Sequence, residues 1–267
     1  MPLLVAGLIP HSPLLIPEIG RSNQKFISKN VSAYNFFSEK LLEKEVETII
    51  IISPHGQVNE EVTINVSPEM KMDFKDFGYI NESLKISGDS LLADKLFTKL
   101  KEDYKTEIMT NDKLDYGSAV PSYLFQQKNK KLKIVVISVS EKLSLDDCSI
   151  IGKKINSLLN QTEKKVAIFA SGDLSHSLQR KSPAGYNPKA NKFDHRVIDI
   201  LSDQDSYKEI LEIDEGIAQE VGQCALKPLT ILLNALTEKH ENKQLAYETE
   251  FGVGYLSFDL SPIDKIN

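Results

Sequence analysis

The sequence predicts a single-domain α/β fold over residues 1–267, in which a central, largely parallel or mixed sheet carries helices on both faces. Apolar runs without polar alternation, such as Ile49 to Ile52, predict strands that are buried on both faces. These runs alternate with segments whose apolar residues recur at helical spacing, which is the order of an α/β protein. The first such segment, from about Ser22 to Val46, joins two strands and therefore predicts a βαβ unit with a parallel strand pair.

The composition is that of an ordinary globular protein, with 41% apolar and 26% charged residues in a chain of 267. A formal net charge of −6, with both signs interspersed, argues against nucleic acid as the main partner. Two cysteines, Cys148 and Cys224, make no disulfide framework. The apolar N-terminal stretch has no basic leader and is interrupted by Pro10, Pro13 and Pro17, so it predicts neither a signal peptide nor a membrane span. We therefore expect a cytoplasmic protein without a membrane partner.

The remaining elements follow from apolar periodicity and from turn residues. The predicted strands are Leu3 to Ile9, Ile49 to Ile52, Val62 to Val66, Leu132 to Val139, Val166 to Ala170 and Gly252 to Phe258. The predicted helices are Ser22 to Val46, Ser90 to Leu100, Asp146 to Leu159, Ala190 to Leu201, a short helix ending near Gly222, and about Lys227 to Leu236. The stretch from Met70 to Leu84 is irregular and predicts a loop or a hairpin.

Three of the five histidines directly follow predicted buried strands. His11, His55 and His176 each lie in a turn rich in proline, glycine or serine. The carboxyl edge of an open α/β sheet is where ligands bind, so we expect the three side chains to meet there. His195 and His240 fall on polar faces of helices and are predicted to be solvated surface residues.

Imidazole suits iron, zinc or copper, and a mononuclear site commonly combines two histidines with one anionic ligand. Cys224 is one candidate for that ligand, because the N-terminus of the following helix would lower its pKa and favour the thiolate. The alternative for Cys224 is a small buried apolar residue. Glu220 is the competing carboxylate, with the alternative that it is a surface residue of the preceding helix.

Two acidic residues accompany these histidines. Asp173 precedes His176 by three residues, so its carboxylate can orient the imidazole and raise its pKa, which suits a general acid or base beside a metal. Asp173 would otherwise be a turn or helix cap. Asp115 either caps the helix that begins near Gly117 or lines the pocket together with Tyr116.

Five stretches carry a family resemblance: GLIPHSPLLIPEIG (7–20), IIISPHG (50–56), LDYGSAVP (114–121), SGDLSH (171–176) and QCALKPLTILLNAL (223–236). Together they resemble the LigB-like class III extradiol ring-cleavage dioxygenase family over nearly the whole chain. The resemblance is closest to the branch found beside AMMECR1-like and radical-SAM proteins, which includes the Memo proteins. It implies a single α/β domain, with His11 and His55 as metal ligands and His176 as the acid/base residue beside them.

Ring-cleaving members of that family hold non-haem Fe(II) through two histidines and a glutamate, and they insert both atoms of O₂ beside a diol. The present sequence departs from this pattern at two positions. It offers Cys224 in place of the glutamate, as the Memo branch does. It also has Tyr116 where many members have a histidine that faces the substrate, in an Asp-His-Gly segment.

The resemblance implies two classes of function. The first is an Fe(II)-dependent dioxygenase that acts with O₂ on a catechol-type or aminophenol-type ring, with Asp115 and Tyr116 lining the substrate site. The second is a Memo-like protein that binds iron or copper through the same residues without cleaving rings, works with AMMECR1-like or radical-SAM partners, and forms a homo-oligomer. A zinc hydrolase is a third hypothesis, because histidine ligands at a sheet edge also suit a metal-activated water.

Overall fold

The computed structural model describes residues 2–57, 59–81, 84–236 and 239–263. Within these ranges ten strands form one sheet: β1 (Leu3–Ile9), β2 (Thr48–Ser53), β3 (Val62–Asn65), β4 (Glu69–Lys71), β5 (Lys85–Gly88), β6 (Thr106–Met109), β7 (Lys133–Val139), β8 (Val166–Ser171), β9 (Lys243–Glu248) and β10 (Tyr255–Asp259). Their order is β4-β5-β7-β2-β8-β1-β10-β9, with β3 paired to β7 and β6.

Eight α-helices connect the strands in the described residues: α1 (Pro17–Gly20), α2 (Ser28–Glu43), α3 (Ser90–Leu100), α4 (Tyr116–Lys128), α5 (Leu145–Leu159), α6 (Ala190–Ser202), α7 (Glu215–Glu220) and α8 (Leu226–Ala235). Short 3₁₀ segments cover Pro13–Leu15, Arg21–Ile27, Lys75–Phe77 and Gln204–Glu212. No helix among the described residues combines the length and the apolar content that crossing a bilayer requires.

The centre of the sheet is parallel and its margins are mixed. Strands β7, β2, β8 and β1 are parallel neighbours, whereas β10 runs antiparallel to β1, and β3 antiparallel to β7. The predicted α/β fold with a largely parallel or mixed sheet is confirmed. The two strands of the predicted βαβ unit are parallel, but they are not hydrogen-bonded to each other, because β8 lies between β1 and β2 and pairs with both.

The sheet separates two apolar clusters, which explains the unbroken isoleucine run. Ile50 and Ile52 face a cluster covered by α3, α5, α6 and α8, whereas Ile49 and Ile51 face a second cluster covered by α2 and α4. Successive side chains of a strand point to opposite faces, so a strand covered on both sides needs an apolar residue at every position.

Several predicted boundaries agree with the structure and others do not. Helix α3 covers Ser90–Leu100 as predicted, and the Asp89 side chain accepts a hydrogen bond from the N–H of Leu92 at its N-terminus. The segment predicted as one helix from Ser22 to Val46 divides into a 3₁₀ segment followed by α2. The sequence did not indicate β4, β5, β6 or β9 as strands. The irregular segment from Met70 to Leu84 contains the end of β4 and a 3₁₀ turn, and residues 82 and 83 within it lie outside the described ranges.

Candidate metal centre

Two histidine rings meet at the carboxyl edge of the parallel strands. His11 follows β1, and His55 follows β2, which ends just before Pro54. Their Nε2 atoms are 3.2 Å apart. Two nitrogens that bind one ion at ~2.0–2.1 Å with a tetrahedral angle lie about 3.3 Å from each other. The predicted proximity of the two rings is therefore confirmed, and the donor spacing fits a shared metal ion.

The thiol of Cys224 completes a group of three donors. Its Sγ atom lies 3.6 Å from the Nε2 of His11. One potential ligand atom from each of His11, His55 and Cys224 falls within 4.8 Å of the other two. The backbone N–H of Asp173 donates a hydrogen bond to the sulfur at 3.2 Å, which favours negative charge on that atom. The strands β1 and β2 and the segment before α8 thus bring a His-His-Cys group together.

Glu220, the alternative anionic ligand, does not join this group. Its carboxylate accepts a hydrogen bond from the Nζ of Lys189 at 2.8 Å, and 52% of its side chain is exposed. Glu220 is the last residue of α7 and lies on the surface, as the alternative interpretation of the sequence expected. Cys224 is therefore the third donor that the fold provides.

The pKa prediction for the free Cys224 thiol was wrong in sign. Burial raises its pKa well above the ordinary value, and the nearby Asp173 carboxylate adds to the increase. Helix α8, whose N-terminus was expected to lower this pKa, begins only at Leu226, two residues beyond the thiol. A coordinating thiol is nevertheless deprotonated by the metal itself, so the shift describes the thiol before it binds an ion.

Both imidazoles are neutral near pH 7. Burial lowers the pKa of His11, against the opposing charge of Asp173. Burial also lowers the pKa of His55 to about 4, and the neighbouring His11 contributes to the decrease. Neutral imidazole is the form that binds a metal, so the environment of the two rings prepares them as ligands.

Asp173 lies between two histidines. Its Oδ2 atom is 3.7 Å from the Nε2 of His11 and 3.7 Å from the Nε2 of His176, and its Oδ1 atom accepts a hydrogen bond from the backbone N–H of His11. Burial alone would raise the pKa of Asp173, but the two histidines outweigh it and hold the pKa below its usual value. Asp173 is therefore an ionised carboxylate at the centre of the group.

The two nitrogens of the His176 imidazole have different partners. Its Nδ1–H donates a hydrogen bond to the carbonyl oxygen of Gly222, and its Nε2 faces the carboxylate of Asp173. Burial alone would lower the pKa of His176, but the Asp173 carboxylate more than compensates and raises it. This pKa direction agrees with the sequence analysis, and the acid/base role itself stays a prediction.

The first turn of α4 supports the histidines from one side. Asp115 caps this helix: its Oδ1 atom accepts hydrogen bonds from the N–H of Ser118 and, at 2.7 Å, from the hydroxyl of Ser53. The helix-cap alternative for Asp115 is thus confirmed, and its substrate-binding role stays a prediction. A Cβ atom on Gly117 would lie 2.7 Å from Ser53 Oγ and 3.3 Å from His55 Cδ2, so glycine leaves the space that His55 occupies.

Tyr116 covers the ring of His55. The two rings stack with centroids 4.5 Å apart and planes inclined by 21°, and the phenol oxygen lies 2.8 Å from the Nε2 of His55. Burial raises the pKa of the phenol well above its ordinary value, so the hydroxyl keeps its proton. The Tyr116 side chain therefore contacts the proposed ligand atom of His55, and its predicted role in substrate binding stays a prediction.

A cavity of about 580 Å³ opens beside the donor group. His55, His176 and Cys224 form part of its wall, and Lys227 and Glu215 lie farther along it. Small-molecule sites commonly have volumes of about 300–1,000 Å³. The cavity is thus large enough for a small substrate, and it brings such a substrate next to both the donor atoms and His176.

A profile described as the catalytic LigB subunit of aromatic ring-opening dioxygenase matches residues 5–257 of the chain. The chain belongs to the LigB family. Two curated relatives of this LigB-family protein cover most of it. Protein CA_C1420 of Clostridium acetobutylicum is 30% identical over 93% of the chain, which spans only 55% of that relative. The 3,4-dihydroxyphenylacetate 2,3-dioxygenase of Escherichia coli is 28% identical over 73% of the chain and 74% of the enzyme.

A solved structure confirms the fold of the LigB-family chain. The uncharacterized protein JW3007 of Escherichia coli K12 superposes with a TM-score of 0.65, over 97% of this chain and 100% of that one. The two sequences are 14% identical, so the similarity concerns the fold alone.

Sequence patterns did not identify every residue at the LigB-family site. Ser53 contacts Asp115 and Ser171 contacts His11, and neither serine was singled out as functional. The signal that could have indicated them was their position at the ends of two predicted strands. His195 is an exposed helical residue, as predicted. The prediction for His240 was wrong, because this residue is only 7% exposed and lies in a β-bridge opposite Pro262 rather than on a helix.

Proposed function

We propose that this protein is an iron-dependent ring-opening dioxygenase of the extradiol type, acting on a catechol-type or aminophenol-type ring. The observation that carries the proposal is the convergence of three metal-ligating atoms, from His11, His55 and Cys224, on a cavity that also contains His176. Membership of the LigB family and the similarity to a dihydroxyphenylacetate dioxygenase support this reaction class.

The residues would divide the work as follows. His11 and His55 would hold the ion as neutral ligands, and Cys224 would supply the anionic one. Bound Fe(II) would provide the site at which the ring oxygens and O₂ are activated. His176 would accept or donate the substrate proton at its Nε2 atom, because its Nδ1–H is held by a backbone carbonyl. Asp173 would stabilise the protonated form of that ring, since its Oδ2 atom lies 3.7 Å away.

The direct test is oxygen uptake by anaerobically purified, iron-loaded protein with a panel of catechols and aminophenols, with ring opening followed by absorbance. Substitution His176→Ala should retain the metal and reduce turnover by roughly 10²- to 10⁴-fold, the usual contribution of general acid/base catalysis. The matched control is His195→Ala, since His195 is an exposed histidine on α6. Loss of metal from the His176 variant would make that residue a ligand instead, and wild-type protein that holds iron but consumes no oxygen with any substrate would refute the proposal.

A Memo-like function is the second candidate, and Cys224 and Tyr116 favour it. The thiol stands in place of a carboxylate ligand, and the phenol oxygen lies against a ligand atom of His55. Such a protein would bind iron or copper in the cytoplasm, act with AMMECR1-like or radical-SAM proteins, and function as a homo-oligomer. Tight binding of metal without oxygen uptake would support this alternative.

A further inference from the structure

The orientation of His11 depends on a serine at the end of β8. Ser171 is fully buried, and its Oγ atom lies 3.0 Å from the Nδ1 of His11 and 2.5 Å from the carbonyl oxygen of Gly117. A carbonyl oxygen has no proton, so the proton in the shorter contact belongs to the serine hydroxyl. The hydroxyl therefore donates to Gly117, and its oxygen accepts the Nδ1–H of His11.

This assignment fixes the tautomer of His11. A neutral imidazole carries one N–H, and with the proton on Nδ1 the lone pair lies on Nε2. Nε2 is the atom that faces His55 and Cys224. The serine thus directs the lone pair of His11 toward the other two donors of the group.

A proline in α4 makes the Gly117 carbonyl available for this contact. In an α-helix the carbonyl of residue 117 would accept the N–H of residue 121, but residue 121 is Pro121, which has no N–H. The helix therefore leaves one carbonyl in its first turn without a helical donor, and the Ser171 hydroxyl satisfies it. Two hydrogen bonds, from Ser171 to the Gly117 carbonyl and from His11 to Ser171, therefore connect α4 to the edge of the sheet where His11 lies.

We propose that Ser171 is a positioning residue that holds His11 in its Nδ1–H tautomer, and that Pro121 supports it by freeing the Gly117 carbonyl. The inference rests on the proposed metal centre. It concerns the preparation of His11 for binding rather than the identity of the metal or of the substrate.

The test compares Zn²⁺ affinity, measured by competition with a chromophoric chelator, across variants of the 267-residue chain. Ser171→Ala should weaken binding by about 10- to 100-fold, the usual effect of removing the partner of a metal-ligating histidine. Ser171→Thr keeps the hydroxyl and should restore most of the affinity. Ser122→Ala is the matched control, because Ser122 is also buried and donates to a backbone carbonyl of α4, with no contact to His11.

Nitrogen-15 NMR of His11 in protein prepared without metal gives a readout that general destabilisation would not produce. Wild-type protein should show the Nδ1–H tautomer, and Ser171→Ala should show a mixture of both. Pro121→Ala returns a donor to the Gly117 carbonyl, so it should shift the tautomer and weaken Zn²⁺ binding while the unfolding midpoint stays close to that of the wild type. An unchanged tautomer or unchanged affinity in Ser171→Ala overturns the inference. Absence of metal binding by the wild type would instead refute the proposed centre, and the NMR result would still decide the tautomer.

Discussion

We predict that Tyr116 competes with a metal for the lone pair of His55. The phenol oxygen lies 2.8 Å from Nε2, closer than the 3.2 Å that separates this nitrogen from His11. In the tautomer of His55 that leaves a lone pair on Nε2, which is the form that would bind a metal through this atom, the phenol O–H donates the hydrogen bond to Nε2. Substitution Tyr116→Phe removes this hydrogen bond and preserves the stacked ring.

The size of the effect follows from the value of one hydrogen bond. A typical intramolecular hydrogen bond contributes about 0.5–1.5 kcal/mol net. If metal binding must break the contact between Tyr116 and His55, its removal should tighten binding by roughly 2- to 12-fold. The change has the opposite sign to that expected for the loss of Ser171, although both residues contact a histidine of the same group.

The assay is a chelator competition with Zn²⁺ on wild-type protein and on Tyr116→Phe. The control is Tyr123→Phe, which removes a phenol hydroxyl from the same helix. This hydroxyl donates its hydrogen bond to Glu18 rather than to a histidine. Equal affinity would show that the phenol leaves His55 without cost when the metal binds. Weaker affinity in Tyr116→Phe would refute the competition and indicate that the phenol supports the bound metal.

Further predictions concern the anionic ligand and pH. Loss of a residue that only supports a metal ligand typically weakens metal affinity by roughly 10- to 100-fold, and Cys224→Ser should weaken it by more than that. Glu220→Gln should leave the affinity unchanged. The reverse pattern would make the glutamate the ligand. The pKa of His55 is about 4 in the folded protein, below the value of 6.5 for an unperturbed histidine. As pH decreases from 7 to 4, the unfolded chain therefore becomes protonated at His55 before the folded chain does, and the free energy of unfolding should fall. The contribution approaches roughly 3 kcal/mol, and it should appear as the difference between wild type and His55→Gln in urea unfolding without metal.

Strands that are buried on both faces were predictable from the sequence. Strands that depend on hydrogen bonding to distant parts of the chain were not. Strand β1 was predicted at its observed bounds, Leu3–Ile9, because a strand covered on both faces leaves an unbroken apolar run. The four strands that the sequence missed are short or partly exposed: β4, β5, β6 and β9. The insertion of β8 between β1 and β2 was equally hidden, since strand order depends on contacts more than 100 residues apart.

The candidate site was predictable to a similar extent. Histidines that follow buried strands must meet when those strands are parallel, and the structure brings His11 and His55 together for that reason. The environment of each side chain was not predictable, because burial depends on the whole fold. The pKa direction of Cys224 and the burial of His240 were wrong for this reason, and the role of Ser171 depends on a carbonyl from another element.

The raised pKa of Cys224 is compatible with the ligand role proposed for it, because the same surroundings disfavour the charged thiolate and attract a divalent cation. Asp173 is ionised beside the sulfur, and burial removes the water that would stabilise a second negative charge. A divalent cation placed among these groups would be attracted by the Asp173 carboxylate and would supply the positive charge that the thiolate lacks. Removal of the Asp173 charge would therefore make the free thiol easier to ionise, and it would also weaken the attraction of the site for a metal.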